Sequence, residues 1–166
     1  MEKSENLRTK LELPPVSQIG IVVRNVDKAV NFYSSFFGMG PFTVYEFVPE
    51  NHWYMEESSY LKLKMGKTMS GEIEWEMIEP LEGRSLHQEF LENHGEGLQH
   101  LGFNVPDYDE MFEKMINAGF KPLMRAETYV ETYKGNLKAC YFDTREVAGI
   151  IFEIIWKSWL MNKLKC

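Results

Sequence analysis

Along residues 18–23, Gln18-Ile-Gly-Ile-Val-Val, apolar and other positions alternate with the period of a half-buried strand, and the alternation ends in a short polar turn. A helical period follows. Ala29, Val30, Phe32, Tyr33, Phe36 and Phe37 recur along one side, with Asp27 as the expected N-cap and Gly38 as the stop. The same succession returns 82 residues later: His100-Leu-Gly-Phe-Asn-Val leads through Asp109 into Met111, Phe112, Met115 and Ile116, and halts at Gly119. Further strands are expected near 42–48 and 121–126, at 60–67 and 136–143, and at 73–78 and 150–155. The last two segments align so that Glu76 stands opposite Glu153.

Two matches in the same order make the chain an internal duplication. The order strand, helix, strand, strand, strand implies an α+β fold in which two βαβββ modules pair into a curved mixed sheet around a central cavity. The expected division is a polar N-terminal arm at 1–15, a first module at 16–81, a linker helix at 82–96, a second module at 97–156 and a tail at 157–166, one domain overall. Residues 49–59 read as a polar-aromatic loop, either a lid over a ligand or a contact with a second subunit.

The duplication singles out four polar residues on equivalent strands: Gln18 and His100 on the first strands, Glu76 and Glu153 on the last. Gly20 and Gly102 lie two residues beyond Gln18 and His100, on the same face, and are expected to leave open space beside them. Glu153 interrupts Gly149-Ile-Ile-Phe-Glu-Ile-Ile-Trp156, a run that reads as buried, where a carboxylate is costly unless paired or coordinated. Each residue alone has a plainer reading: a hydrogen-bonded core histidine, the wet face of an amphipathic strand at Glu72, Glu74 and Glu76, or a buried salt bridge. Convergence of all four on a pseudo-twofold axis favours one divalent metal held by Gln18, Glu76, His100 and Glu153. One imidazole, two carboxylates and an amide oxygen suit Mn²⁺, Co²⁺, Ni²⁺ or Zn²⁺ better than Mg²⁺. A single histidine disfavours oxygen-activating iron, and the set suits stabilisation of an enolate with proton transfer by a carboxylate. The remaining histidines, His52, His87 and His94, read as solvated, and Asp143, Arg145 and Glu146 as a charged turn. No phosphate-cradling loop, Cys-x-x-Cys pair or nucleophile elbow occurs.

Composition narrows the partners. A net charge of −7 repels phosphate backbones, which argues against nucleic acid. No apolar run reaches the ~20 residues of a membrane span, and the start lacks the apolar stretch of a signal peptide. Two cysteines, Cys140 and Cys166, fit a reducing compartment, so a cytoplasmic location is expected.

On these residues the chain resembles the glyoxalase / bleomycin-resistance / dioxygenase superfamily over 16–156, and within it methylmalonyl-CoA epimerase and glyoxalase I. The likeness is carried by Gln18-Ile-Gly-Ile-Val-Val, by 27–33 with Phe37-Gly38, by Glu76-Met-Ile-Glu-Pro-Leu81, and by Phe90-Leu-Glu-Asn-His-Gly-Glu-Gly-Leu-Gln-His100-Leu-Gly-Phe. It implies a glyoxalase-like fold, a small-molecule substrate of the acyl-CoA or hemithioacetal class and a homodimer. Its four metal ligands fall on Gln18, Glu76, His100 and Glu153. Most relatives have histidine where Gln18 stands, although one branch of glyoxalase I uses glutamine, and Gln99 replaces a histidine common in epimerases. By the same resemblance Glu153 is the first candidate base and Glu76 the second. The alternatives are a glyoxalase I acting on a hemithioacetal and a binding protein that sequesters a small molecule without catalysis.

Overall fold

Two first strands, one from each half, meet at the centre of the sheet. The computed structural model describes residues 11–163. In chain order its elements are β1 (Gln18–Val22), α1 (Val26–Phe37), β2 (Thr43–Phe47), β3 (Asn51–Tyr54), β4 (Glu57–Ser58), β5 (Leu61–Ser70), β6 (Ile73–Gly83), α2 (Leu86–His94), β7 (Gly97–Asn104), α3 (Tyr108–Asn117), β8 (Pro122–Val130), β9 (Gly135–Phe142), β10 (Ile151–Lys157) and α4 (Ser158–Lys163). The strands form one sheet, ordered β2-β5-β6-β1-β7-β10-β9-β8-β3-β4, which curls into a half-barrel.

The register carries the pseudo-twofold. β1 and β7 are antiparallel, with Gln18 opposite Gly102 and Gly20 opposite His100. On the outer flank of each lies a parallel strand: Gly20 pairs with Glu76 in β6, and Gly102 with Glu153 in β10. Helices α1 and α3 cover the convex face. Ile21, Trp75 and Met77 pack with Val26, Ala29, Val30 and Tyr33 of α1; Cys140, Phe142 and Ile154 pack with Tyr108, Met111 and Met115 of α3. Burying each such large side chain contributes about 1.5–3 kcal/mol. Since side chains alternate, Glu76 beside Met77 and Glu153 beside Ile154 must point into the concave trough.

Several expectations are corrected. The helix caps are Asn25 and Asp107, two residues before Asp27 and Asp109; Asn25 Oδ1 accepts from the Lys28 N–H at 2.8 Å and Asp107 Oδ1 from the Glu110 N–H at 3.0 Å. Asp27 instead ion-pairs with Lys64. The stretch at 49–59 is not a loop but the hairpin β3–β4, which leaves the first half and adds to the far edge of the second, Asn51 opposite Glu127 and Tyr54 opposite Met124. Its period-two order turns His52 and Tyr54 inwards, while Trp53 stacks under the Arg125 guanidinium at 4.8 Å on the outside. The second helix-to-sheet strand runs on to Val130, and the tail begins as α4. Leu11 and Leu13 of the N-terminal arm pack on the α3 cluster, whereas residues 1–10 and Cys166 lie outside the described residues. Among the described residues no helix is long and apolar enough to cross a membrane.

Candidate functional site in the concave trough

His100 occupies the middle of the trough and is fully buried. Its imidazole lies flat over the backbone of Gly20: a Cβ there would stand 1.8 Å from Cε1 and 2.1 Å from Nε2. Gln18 rests likewise on Gly102, where an added Cβ would be 2.9 Å from the amide oxygen. The two glycines are therefore seats for the partner strand's polar side chain, not open space, which corrects the sequence expectation. Around Nε2 of His100 stand Glu153 Oε2 at 3.3 Å and Glu76 Oε2 at 3.6 Å. All four residues at 18, 76, 100 and 153 are at least 96% buried.

A second layer orients these groups. A register shift in β7 between the partners of Gly20 and Ile21 leaves Gln99 as an extra, bulged residue, which re-aims its side chain to the same side as His100. Gln99 donates from Nε2 to the Leu86 carbonyl at 2.9 Å, so its Oε1 is the acceptor turned towards His100 Nδ1 at 3.1 Å and His87 Nδ1 at 2.8 Å. Both histidines must then carry their proton on Nδ1, which leaves the His100 Nε2 lone pair aimed between the carboxylates when the ring is neutral. Gln18 is fixed in the same manner. Its Nε2 donates to Glu74 Oε1 at 2.7 Å, and its Oε1 is turned the other way. Lys67 grips Glu76 Oε1 at 2.7 Å and Glu74 Oε1 at 3.2 Å. Tyr141, opposite Glu153 on β9, stands edge-on to the imidazole at 5.0 Å.

Charge follows geometry. Burial by itself lowers the pKa of His100, but the facing carboxylates of Glu153 and Glu76 outweigh it and raise it to about 9. Burial pushes Glu76 the other way; the Lys67 ammonium first, and then His100, hold its carboxyl well below the usual range. Burial raises the Tyr141 phenol further than the nearby carboxylates do. Burial and the neighbouring His100 lower His87 to about 4.

The donor set fits a divalent cation. Gln18 Oε1 is buried without a hydrogen-bond partner, and with the imidazole neutral the His100 Nε2 lone pair would face the Glu153 and Glu76 carboxylates with no donor between them. Such atoms are costly unless something electropositive meets them. The 3.3 and 3.6 Å separations around Nε2 also match neighbouring ligands on one ion with bonds of about 2.1 Å, which stand roughly 3 Å apart. The tips do not yet form a closed cage: among the described residues no group of three His, Cys, Asp or Glu side chains is gathered at metal-binding spacing. In this structure the carboxylates are held by the imidazole and by Lys67 instead.

Sequence reasoning missed Lys67 and Tyr141, and it named Gln99 only through the resemblance and Glu74 only as part of a wet strand face, without the contacts they make here. Lys67 had a signal, being the polar end of the inward row Leu61, Leu63, Met65, Lys67. His52 and His87, expected in solvent, are buried in the trough wall, His52 bonded through Nδ1 to Ser59 Oγ at 2.8 Å. His94 is exposed as expected. At a turn, the Arg145 guanidinium donates to both carboxylate oxygens of Asp143, at 2.8 and 2.9 Å.

The family described as the Glyoxalase/Bleomycin resistance protein/Dioxygenase superfamily matches residues 17–141, and the chain belongs to it. It is 25% identical over 139 residues to the uncharacterized Bacillus subtilis protein YqjC, covering 84% of this chain and 89% of that one. Among solved structures it is similar to a Streptomyces coelicolor methylmalonyl-CoA epimerase variant in complex with 2-nitronate-propionyl-CoA, at 20% identity and a TM-score of 0.56, with 87% and 98% of the two chains covered. The methylmalonyl-CoA epimerase of Mycobacterium tuberculosis matches with a TM-score of 0.57 at 17% identity, covering 91% and 95%. At such identities these two likenesses show the fold.

Proposed function

We propose that the chain is a metal-dependent proton-transfer isomerase resembling methylmalonyl-CoA epimerase, with a 2-methyl-malonyl-type acyl-CoA as substrate. The observation that supports this reading is that the Glu153 and Glu76 carboxylates, one from each half, stand 3.3 and 3.6 Å from His100 Nε2 while the nearby Gln18 Oε1 is buried without a hydrogen-bond partner. Gln18, Glu76, His100 and Glu153 would hold the ion. When bound, it would supply Lewis-acid stabilisation of negative charge developing on substrate oxygen. Glu153 is the first candidate base, since among the described residues its one ion pair is with His100, whereas Glu76 is also tied through Oε1 to Lys67. Glu76 comes from the opposite half and is the group available on the other face of a bound substrate. Tyr141, kept protonated by burial, can donate but not accept a proton there. The apolar row Leu61, Leu63 and Met65 limits water around the reacting carbon.

The test is elemental analysis after loading with Co²⁺ or Ni²⁺, followed by exchange of the 2-proton of methylmalonyl-CoA in D₂O. Metal-dependent exchange supports the reading. Exchange seen only with the hemithioacetal of methylglyoxal and glutathione would move the chain to a glyoxalase I activity, which the amide at Gln18 favours by resemblance. A fully loaded protein that exchanges neither substrate refutes both.

A further inference from the structure

Two lysines stand at one end of the trough, one from each half, and they share a single carboxylate oxygen. Lys67 Nζ lies 3.2 Å and Lys157 Nζ 3.8 Å from Glu74 Oε1. That oxygen already accepts from Gln18 Nε2 at 2.7 Å. Lys157 follows Glu153 and Ile155 on the inward face of β10, so its stem lies within the trough and its ammonium at the rim. The Lys157 side chain is only 16% exposed and that of Lys67 21%, yet Glu74 is the one ion-pair partner of Lys157 among the described residues. An ammonium has three donors, and a 3.8 Å contact satisfies none of them as a hydrogen bond. Lys157 is thus a largely buried cation short of anionic oxygen. With a divalent ion at the centre and a neutral imidazole, the positive charge of ion, Lys67 and Lys157 exceeds that of Glu74, Glu76 and Glu153 by one.

We propose that Lys67 and Lys157 form an anion subsite that receives a carboxylate of the substrate beside the proposed metal centre. The inference rests on the trough being a substrate site, as argued above, and deepens that reading by assigning two residues, Lys67 and Lys157, to the free carboxylate of a malonyl-type substrate. Lys67 joins subsite and centre, because its ammonium touches Glu76, a proposed ligand, on the side away from His100. A planar carboxylate fits between two ammonium groups and completes the donors that Glu74 leaves unmet. A phosphate group of a larger ligand would present the same charge, so the experiment separates the two.

The experiment is calorimetric titration of malonate, malonamide and inorganic phosphate into metal-free and Co²⁺-loaded protein, with Lys157→Met, Lys157→Arg and Lys67→Met variants. Malonate is expected to bind both forms, and Lys157→Met to weaken it at least tenfold in both. Lys157→Arg should restore most of the affinity, and metal stoichiometry should not change in either Lys157 variant. Malonamide should not bind the metal-free protein. Unchanged malonate affinity in Lys157→Met overturns the proposal, and so does phosphate binding as tight as malonate and equally lost. If the wild type takes up no metal, the reading of the centre fails, while titrations on metal-free protein still decide the subsite.

Discussion

Replacing Gly20 by alanine isolates the contact on which the site is built. The backbone at Gly20 is not among those with positive φ, so alanine is sterically permitted there by the main chain. With no obstacle, Gly→Ala stabilises by about 0.4–1 kcal/mol through the unfolded chain. Here the new methyl would stand 1.8 Å from Cε1 of His100 and 2.3 Å from Nδ1, far inside the roughly 3.5–4 Å of ordinary carbon contact. The ring must retreat by well over an ångström, against Gln99 on one side and the carboxylates on the other. Overpacking of this kind costs about 1–3 kcal/mol, so a net destabilisation of about 1–2 kcal/mol is expected. Urea unfolding of wild type, Gly20→Ala, His100→Ala and the double variant measures it. Because His100→Ala vacates the space, the alanine at 20 should cost nothing in that background, giving a coupling of about 1–3 kcal/mol. Metal affinity of the single Gly20→Ala variant should fall at least tenfold as Nε2 leaves its place. A Gly20→Ala protein as stable as wild type, or one whose penalty persists without the ring, would refute the seating of His100 on Gly20.

Other expectations follow from the same geometry. The raised pKa of His100, about 9 against 6.5 unfolded, makes its stabilising contribution complete below about pH 6.5 and lost as pH rises through 9; the urea midpoint of metal-free protein should fall across that window, and not in His100→Ala. Gln99→Leu removes the acceptor shared by two imidazoles and should weaken metal binding 10–100-fold, read by competition with a chelating dye. Tyr54→Phe deletes the 2.5 Å hydrogen bond to Glu89 that ties the β3–β4 hairpin to α2, and should cost about 1–2 kcal/mol in urea unfolding while metal stoichiometry stays unchanged.

Much of the fold was legible because duplication repeats its message. Gln18 and His100, and Glu76 and Glu153, recur at matching places in two periodic patterns, and a period of two dictates which face they share. The hairpin was not legible, since Asn51 finds its partner at Glu127 on the other half, and local alternation over four residues cannot announce a pairing so distant. The glycines were misread for a related reason: a missing side chain signals close approach, but sequence does not say by what. Gln99 was hidden by parity, which sets it on the face opposite His100, until the bulge turns it round. His87 lies on a short helix whose polar residues read as wetted, yet α2 closes one end of the trough and brings His87 inside.

The central claim is that two halves deliver one amide, one imidazole and two carboxylates to a single cation. Crystals grown with Co²⁺ and measured at its absorption edge test it directly. The account predicts one anomalous peak per chain within bonding distance of Gln18 Oε1, Glu76 Oε2, His100 Nε2 and Glu153 Oε2. A peak elsewhere, or none at full Co²⁺ exposure with Lys67 still bound to Glu76, would contradict it.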